Sequence, residues 1–389
     1  MAAGEDKVPF VKSHASVMLD AVRGVAAVLV TLEHLRLRLF FEFTPAELHH
    51  NPALHALFIL ASFGHSSVIV FFVLSGFLVG GSLLRAYENK TWSWRSYLTH
   101  RFVRLWIVLV PALLIGMVWD TLSIHVAHGR LNPPVVDARV AQTAAYLTVS
   151  GFLGNVAFLQ TTLVPVFGSN GALWSLNNEF WYYILFPLGF FALFPRYRLA
   201  VRLPFAVAFV LLLTVLGQSL AILAPLWLFG ALLFYLPRSN FSESTRYIAL
   251  ALYVVTVPVL VDVSFRFPTL ADYGIAVATC IFLWIVLSAR AAANPTSLPT
   301  RGFRLLARFS YTLYLIHVPI FTFAGVCLVR SQSWQPTLPH LACAFVIWLA
   351  TILFALCIAS VTEFRTDEVR RWVETRTWRR GPASEPAAG

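Results

Sequence analysis

Residues 19–41 read LDAVRGVAAVLVTLEHLRLRLFF, an apolar run long enough to cross a bilayer as a helix yet studded with ionisable side chains. Arg23 and His34 are eleven residues apart, about 1100° of helix, or three turns plus roughly 20°. Both therefore face the same way, separated by roughly 16 Å along the axis. Asp20, Ala27, Thr31 and Arg38 fall near that face, with Glu33 one step round the helix. An ionisable group facing lipid costs at least ~2.5–3.5 kcal/mol, so such a stripe persists only toward a bundle interior or a wet cavity. The run predicts a membrane helix carrying a chemical site within the bilayer.

The rest of the chain agrees with a membrane class. Of 389 residues, 58% are hydrophobic and only 12% charged, and the mean hydropathy is +0.73. The formal net charge of +11 would suit nucleic acid, but the basic residues sit mainly in short loops between apolar runs, which points instead to the positive-inside rule. No nucleic-acid partner is expected. The four cysteines (Cys280, Cys327, Cys343, Cys357) lie in apolar runs without metal-ligand spacing and read as small packing residues. The first sixteen residues are polar and the run after them is too long for a signal-peptide core, so the first span reads as an uncleaved anchor.

Ten spans are expected, over approximately 18–41, 57–84, 103–125, 172–194, 200–217, 219–236, 246–263, 271–290, 310–329 and 339–361. The segment 141–165 is apolar but interrupted by Gly151, Gly154 and Pro165; it reads as an interfacial or re-entrant piece, with an eleventh span as the alternative. Placing the N-terminus in the cytoplasm puts 22 of the 29 basic residues on the cytoplasmic side, whereas an eleventh span would invert everything downstream. Both termini are then cytoplasmic. The expected architecture is all-α and polytopic, a ten-helix membrane domain over 1–361 with a basic cytoplasmic tail over 362–389.

Several polar constellations interrupt the apolar runs. His34 suits a general base or a nucleophile that carries the acyl group briefly, because neutral imidazole accepts a proton from a hydroxyl near pH 7, and Arg23 suits an anion or a carboxylate partner. The bland alternative has His34 bonded between helices and Arg23 snorkelling to the interface. In HRFVRLW, Arg101 and Arg104 are three apart on one helix face, where two guanidinium forks suit phosphate oxygens; they are also ordinary cytoplasmic anchors. GALWSLNNEFWYYILFPL gathers Trp174, Ser175, Asn177, Asn178 and Glu179 at the far-side mouth of a span, with Tyr182 and Tyr183 one turn deeper. Glu179 suits orienting an imidazole or binding a sugar hydroxyl; an aromatic belt would explain the tryptophans but not the carboxylate. FFVLSGFLVGGSLL favours close helix packing through Ser75, Gly76, Gly80 and Gly81. In SYTLYLIHVPIF, His317 precedes Pro319, whose missing N–H frees a carbonyl that a polar neighbour can satisfy. His49, His50 and His55 show no metal-site spacing, and no metal is expected.

Taken together these segments resemble acyltransferase family 3, the integral-membrane O-acyltransferases that modify glycans and other exported molecules. LDAVRGVAAVLVTLEH carries the family's Arg-x10-His signature as Arg23 and His34, and RFVR its Arg-x-x-Arg pair as Arg101 and Arg104. VIVFFVLSGFLVGGSLL, LWSLNNEFWYYILFP and SYTLYLIHVP match further motifs in the family's order, across nearly the whole chain. Ala21 replaces a usual glycine, Glu33 is uncommon before the histidine, and Asn177 and Asn178 stand where small or apolar residues are common.

The resemblance implies a ten-helix core that moves an acyl group, acetyl by default, from cytoplasmic acyl-CoA to a hydroxyl of a glycan or lipid-linked sugar. His34 maps to the catalytic histidine, with Arg23 and Glu179 in support. Arg101 and Arg104 map to the pair that holds coenzyme A phosphates. Trp174, Ser175, Asn178, Tyr182, Tyr183 and His317 are the expected acceptor contacts. No permanently bound cofactor is expected, the partners are acyl-CoA, acceptor and membrane lipids, and the bacterial inner membrane is the expected location. The reading from a different class is a transporter that moves an anionic or acylated molecule without chemistry, since intramembrane polar residues mark pathways as well as sites. No pair of related halves is apparent in the sequence.

Overall fold

The computed structural model describes residues 13–42, 51–128, 134–194, 197–288, 297–329 and 332–378. Among them every long element is a helix: α1 (His14–Leu39), α2 (Pro52–Leu60), α3 (Gly64–Ser75), α4 (Gly81–Glu88), α5 (Trp94–Ala127), α6 (Pro134–Tyr146), α7 (Val149–Val156), α8 (Trp174–Leu193), α9 (Leu199–Leu216), α10 (Gln218–Leu232), α11 (Glu243–Ser264), α12 (Pro268–Leu287), α13 (Leu298–Leu328), α14 (Leu338–Val361) and α15 (Thr366–Trp378). Eight helical stretches are long and apolar enough to cross a membrane. The other two expected spans form α8, whose first turns are polar, and α10, whose apolar run is shorter than a full span. The chain is an all-α, multi-pass membrane protein.

No single span forms over 141–165. The polar break at Leu147–Thr148 separates α6 from α7, which is N-capped by Thr148, and residues 157–170 then run without a helix. Non-helical backbone at membrane depth survives only where protein groups satisfy it. Asn155, fully buried, donates to the carbonyls of Gly151 (2.8 Å) and Pro165 (3.0 Å) and accepts from the Phe167 N–H (3.1 Å). Gln160, also buried, donates to the Leu173 carbonyl at 2.9 Å.

Helix α1 packs along α13 and α3, and α13 packs against α5, so the ionisable stripe of α1 is enclosed. Two intrahelical prolines tie this core together. Pro319 lacks the N–H that would bond Leu315, and Asn170 Nδ2 takes that carbonyl at 2.7 Å. Pro187 similarly frees the carbonyl of Tyr183, which accepts from the Tyr97 hydroxyl at 3.1 Å. The freed carbonyl beside His317 therefore has its partner in a different residue, Asn170, and His317 remains available for other bonds.

Between α3 and α4 the chain makes a π-helical turn, Gly76–Gly80. There α3 meets α10 at backbone contact: a Cβ on Gly76 would overlap the Trp227 carbonyl oxygen, and one on Gly230 would overlap that of Val73. Both neighbours are backbone and have no rotamer to yield. Gly76→Ala is expected to destabilise the protein by about 1–3 kcal/mol, seen as a lower midpoint in thermal unfolding of the detergent-solubilised protein; an unchanged midpoint would refute the close crossing.

Beyond α14 the chain does not leave the bundle at once. A short 3-10 turn, Glu363–Arg365, folds back against α13 and α5 before α15 begins. Helix α15 also lies on α5, where His100 Nε2 and Glu374 Oε1 are 3.0 Å apart. The segment expected as a tail thus contributes its first residues to the bundle.

Candidate active site

The two marked residues of α1 sit in separate polar groups on the same face, joined by α13. At the His34 end, His34 Nδ1 is 2.9 Å from His317 Nε2, and the rings are 4.9 Å apart, tilted by 40°. His317 is fully buried, and its Nδ1 lies 3.0 Å from the Leu313 carbonyl oxygen one turn back in α13. Arg38, one turn beyond His34 and so on its face, donates to the Ser169 carbonyl at 3.5 Å. Asp120 of α5, buried, anchors that loop by accepting from Ser169 N–H (2.9 Å) and Oγ (2.6 Å).

At the Arg23 end, a cleft of about 70 Å³ is lined by Arg23, Arg104, Ser175, Glu179, Tyr311 and Tyr314, among others. Five helices contribute: α1, α3 through Phe71, α5, α8 and α13. Glu179 accepts hydrogen bonds from Ser75 Oγ at 3.2 Å and from the Tyr183 hydroxyl, while Trp227 Nε1 donates to the same Ser75 oxygen at 3.2 Å. Arg23 pairs with Glu363 at 3.6 Å. The other oxygen of Glu363 accepts from Thr312 N–H and Oγ, both at 2.9 Å. Glu363 thus has partners on both oxygens and Glu179 two donors on Oε1, and such pairing is what makes charge tolerable inside a membrane bundle.

Tyr314 links the two groups. Its hydroxyl donates to the Ala172 carbonyl at 2.9 Å and receives Ser175 Oγ at 2.7 Å, while its ring centroid is 6.0 Å from that of His317. Arg101 stands beside the cleft without lining it. It donates to Ser82 Oγ at 2.7 Å and lies over the rings of Tyr97 (5.5 Å) and Tyr183 (5.8 Å).

The residues singled out from the sequence therefore divide. Arg23, Arg104, Ser175 and Glu179 converge on one cleft, Tyr183 holds Glu179, and His34 meets His317. Tyr182 is turned away, donating to the Leu220 carbonyl at 2.9 Å, and Asn177 bonds Thr161 and Thr162 at 3.2 and 3.3 Å. Asn178 is buried outside the cleft with its Oδ1 lacking a hydrogen-bond partner. Trp174 stacks on His65 at 6.0 Å, whose Nε2 is 2.9 Å from Asp272. His49 and His50 lie outside the described residues, and His55 faces Asp262 at 3.4 Å.

Sequence reasoning missed Glu363, Tyr311, Tyr314 and Asp120. Glu363 stands just past the last apolar run, in a stretch rich in Asp, Glu and Arg, and nothing local distinguishes it from a solvated tail residue. A lone Asp within the apolar run of α5 was the available signal for Asp120.

A polar cleft inside a membrane bundle, with a half-buried imidazole three turns along the same helix set against a fully buried one, is suited to proton transfer. Comparison with known proteins identifies the family. The family model described as an acyltransferase domain (acyltransferase 3) matches residues 17–359. An uncharacterised protein of Haemophilus influenzae is 24% identical over 151 residues, covering 39% of this chain and 58% of that protein. The match thus spans less than two thirds of that relative's length. No solved structure matches. Since the matched region runs from within α1 to within α14 and holds the residues lining the Arg23 cleft and the His34–His317 pair, though not Glu363, the chain belongs to the acyltransferase 3 family and is a multi-pass membrane protein.

Proposed function

We propose that the protein transfers an acyl group, acetyl in the first instance, from acyl-CoA to a hydroxyl of a glycan or lipid-linked sugar at a bacterial inner membrane. The observation that carries this reading is the alignment of the Arg23–Arg104 cleft with the His34–His317 pair along one face of α1, roughly 16 Å apart. With both termini cytoplasmic, Arg101 and Arg104 begin α5 at the cytoplasmic side. Guanidinium groups there meet the donor's phosphates, and the thioester reaches along α1 toward His34.

The hydrogen-bond directions define the working nitrogen. A carbonyl only accepts, so His317 Nδ1 carries the proton facing Leu313. A neutral His317 then accepts at Nε2, and His34 must donate from Nδ1. The remaining nitrogen of His34, Nε2, holds a lone pair and is the base. It takes the proton of the acceptor hydroxyl as that oxygen attacks the thioester carbonyl carbon. When the C–S bond breaks, the imidazolium returns the proton to the departing thiolate. Arg23, Arg104 and Glu179 support charge in the cleft.

The test uses membrane vesicles and acetyl-CoA labelled in the acetyl group, with base-labile label counted in the glycan fraction. Wild type is expected to incorporate label, and Arg104→Gln to raise the KM for acetyl-CoA about 10–100-fold, the worth of hydrogen bonds to a charged group. No incorporation from acetyl-CoA or longer acyl-CoAs by well-inserted wild type would overturn the reading.

A further inference from the structure

A second, larger cavity opens where α4 ends, α5 begins, and α8 and α10 terminate. It holds about 620 Å³, within the range of small-molecule sites. Its walls are aromatic, with Tyr87, Trp92, Phe194, Tyr197 and Tyr235, and it includes two charged groups, Glu88 and Lys90. Tyr87 packs edge-on against Phe190 and Phe194, at 5.2 and 4.8 Å, and all three rings line the cavity.

An interfacial aromatic belt would also cluster rings at a helix end, but a belt indole turns its N–H to water or lipid head groups. Trp92 does not: its Nε1 is buried and has no hydrogen-bond partner. A buried donor without an acceptor costs about 1–3 kcal/mol and calls for an explanation. Side-chain contacts run from the cavity wall toward the site. Trp92 lies 5.0 Å from Tyr97, and the Arg101 guanidinium sits 5.5 Å over the other part of that contact, the Tyr97 ring. Arg101 in turn bonds Ser82, one turn and a half before Tyr87.

We propose that this cavity holds the purine nucleotide end of the donor, an inference that rests on the acyl-CoA reading above. Flat aromatic walls suit a base. Adenine presents a ring nitrogen that accepts and an amino group that donates, which match the unpartnered Trp92 N–H and the Glu88 carboxylate. Lys90 at the cavity edge and Arg101 toward the cleft meet phosphate oxygens, leaving the acyl arm directed to α1.

The probes are acetyl-CoA, S-acetyl-pantetheine, which lacks the nucleotide, and adenosine 3′,5′-bisphosphate, which lacks the arm, all with the full-length protein in nanodiscs. Trp92→Phe keeps an aromatic face while removing the donor together with the fused pyrrole ring; Lys90→Ala removes the charge. Each is expected to raise the KM for acetyl-CoA about tenfold and to weaken inhibition by the bisphosphate equally, with the KM for S-acetyl-pantetheine unchanged. If both variants keep the wild-type KM for acetyl-CoA while Arg104→Gln raises it, the cavity proposal falls and the acyl-CoA reading stands. If the variants raise the KM for S-acetyl-pantetheine as much as for acetyl-CoA, the residues act on the fold and the proposal also falls. If wild type neither uses acetyl-CoA nor binds the bisphosphate, the donor reading fails and takes the cavity assignment with it.

Discussion

His34→Ala is expected to lower acyl transfer by about 10²–10⁴-fold at matched membrane levels, the range for losing a positioned general base. The variant at its neighbour is more discriminating. His317 touches no reacting atom in this scheme; it fixes which nitrogen of His34 carries the proton. His317→Leu removes one acceptor of the His34 ring N–H, leaving the Val30 carbonyl, and so loosens the hold on the tautomer. A loss approaching that of His34→Ala is expected in kcat, with KM for acetyl-CoA little changed. His317→Gln offers an oxygen near the place of Nε2 and should recover part of the rate. A merely structural role for His317 would not separate Gln from Leu by rate while leaving thermal unfolding of both alike. Nitrogen chemical shifts of labelled histidine would report the tautomer directly, and a His34 protonated at Nε2 in wild type would sink the scheme.

Glu363→Ala is expected to destabilise the fold by about 1.5–3 kcal/mol, the worth of hydrogen bonds to a charged group, since both partners of the ion pair are only partly buried. The lost groups are named: Arg23 at 3.6 Å, and the Thr312 N–H and hydroxyl at 2.9 Å. Removing both charges should behave differently. Arg23→Leu with Glu363→Leu replaces a pair by apolar volume, which is often neutral, so most of the stability should return. Activity should not, because Arg23 lines the cleft. Thermal unfolding and acyl transfer measured on the same preparations separate the two effects. A Glu363→Ala protein as stable as wild type would show that the turn after α14 does not hold the bundle.

These expectations depend unequally on what a reader of the chain can see. The helix positions follow from apolar run length, a local property summed over about 20 residues. The face shared by Arg23 and His34 follows from helix geometry alone. Breaks in pattern were also visible: Gly151, Gly154 and Pro165 argued against a continuous span over 141–165, and two short helices and a buried loop occupy it.

Partners were another matter. His34 and His317 are 283 residues apart, and nothing in either motif says which imidazole nitrogen meets the other. Asn170 lies in a loop with no periodicity, yet it takes the carbonyl freed by Pro319 and so leaves His317 free to face His34. Glu363 sits in a charged stretch that reads as tail, and only the fold-back after α14 brings it to Arg23. Tyr182 and Tyr183 are adjacent in sequence, but one helix step of about 100° sends the first to the Leu220 carbonyl and the second to Glu179.

From its sequence, then, this protein is an all-α membrane chain of the acyltransferase 3 type with a polar stripe on its first helix, because hydrophobic length, charge placement and short motifs are properties of contiguous residues. The tertiary structure alone decides which stripe residues become a cleft, which become a histidine pair, and which are struts. Those outcomes depend on the rotation and close approach of helices distant in the chain, as at Gly76 and Gly230, where backbone meets backbone.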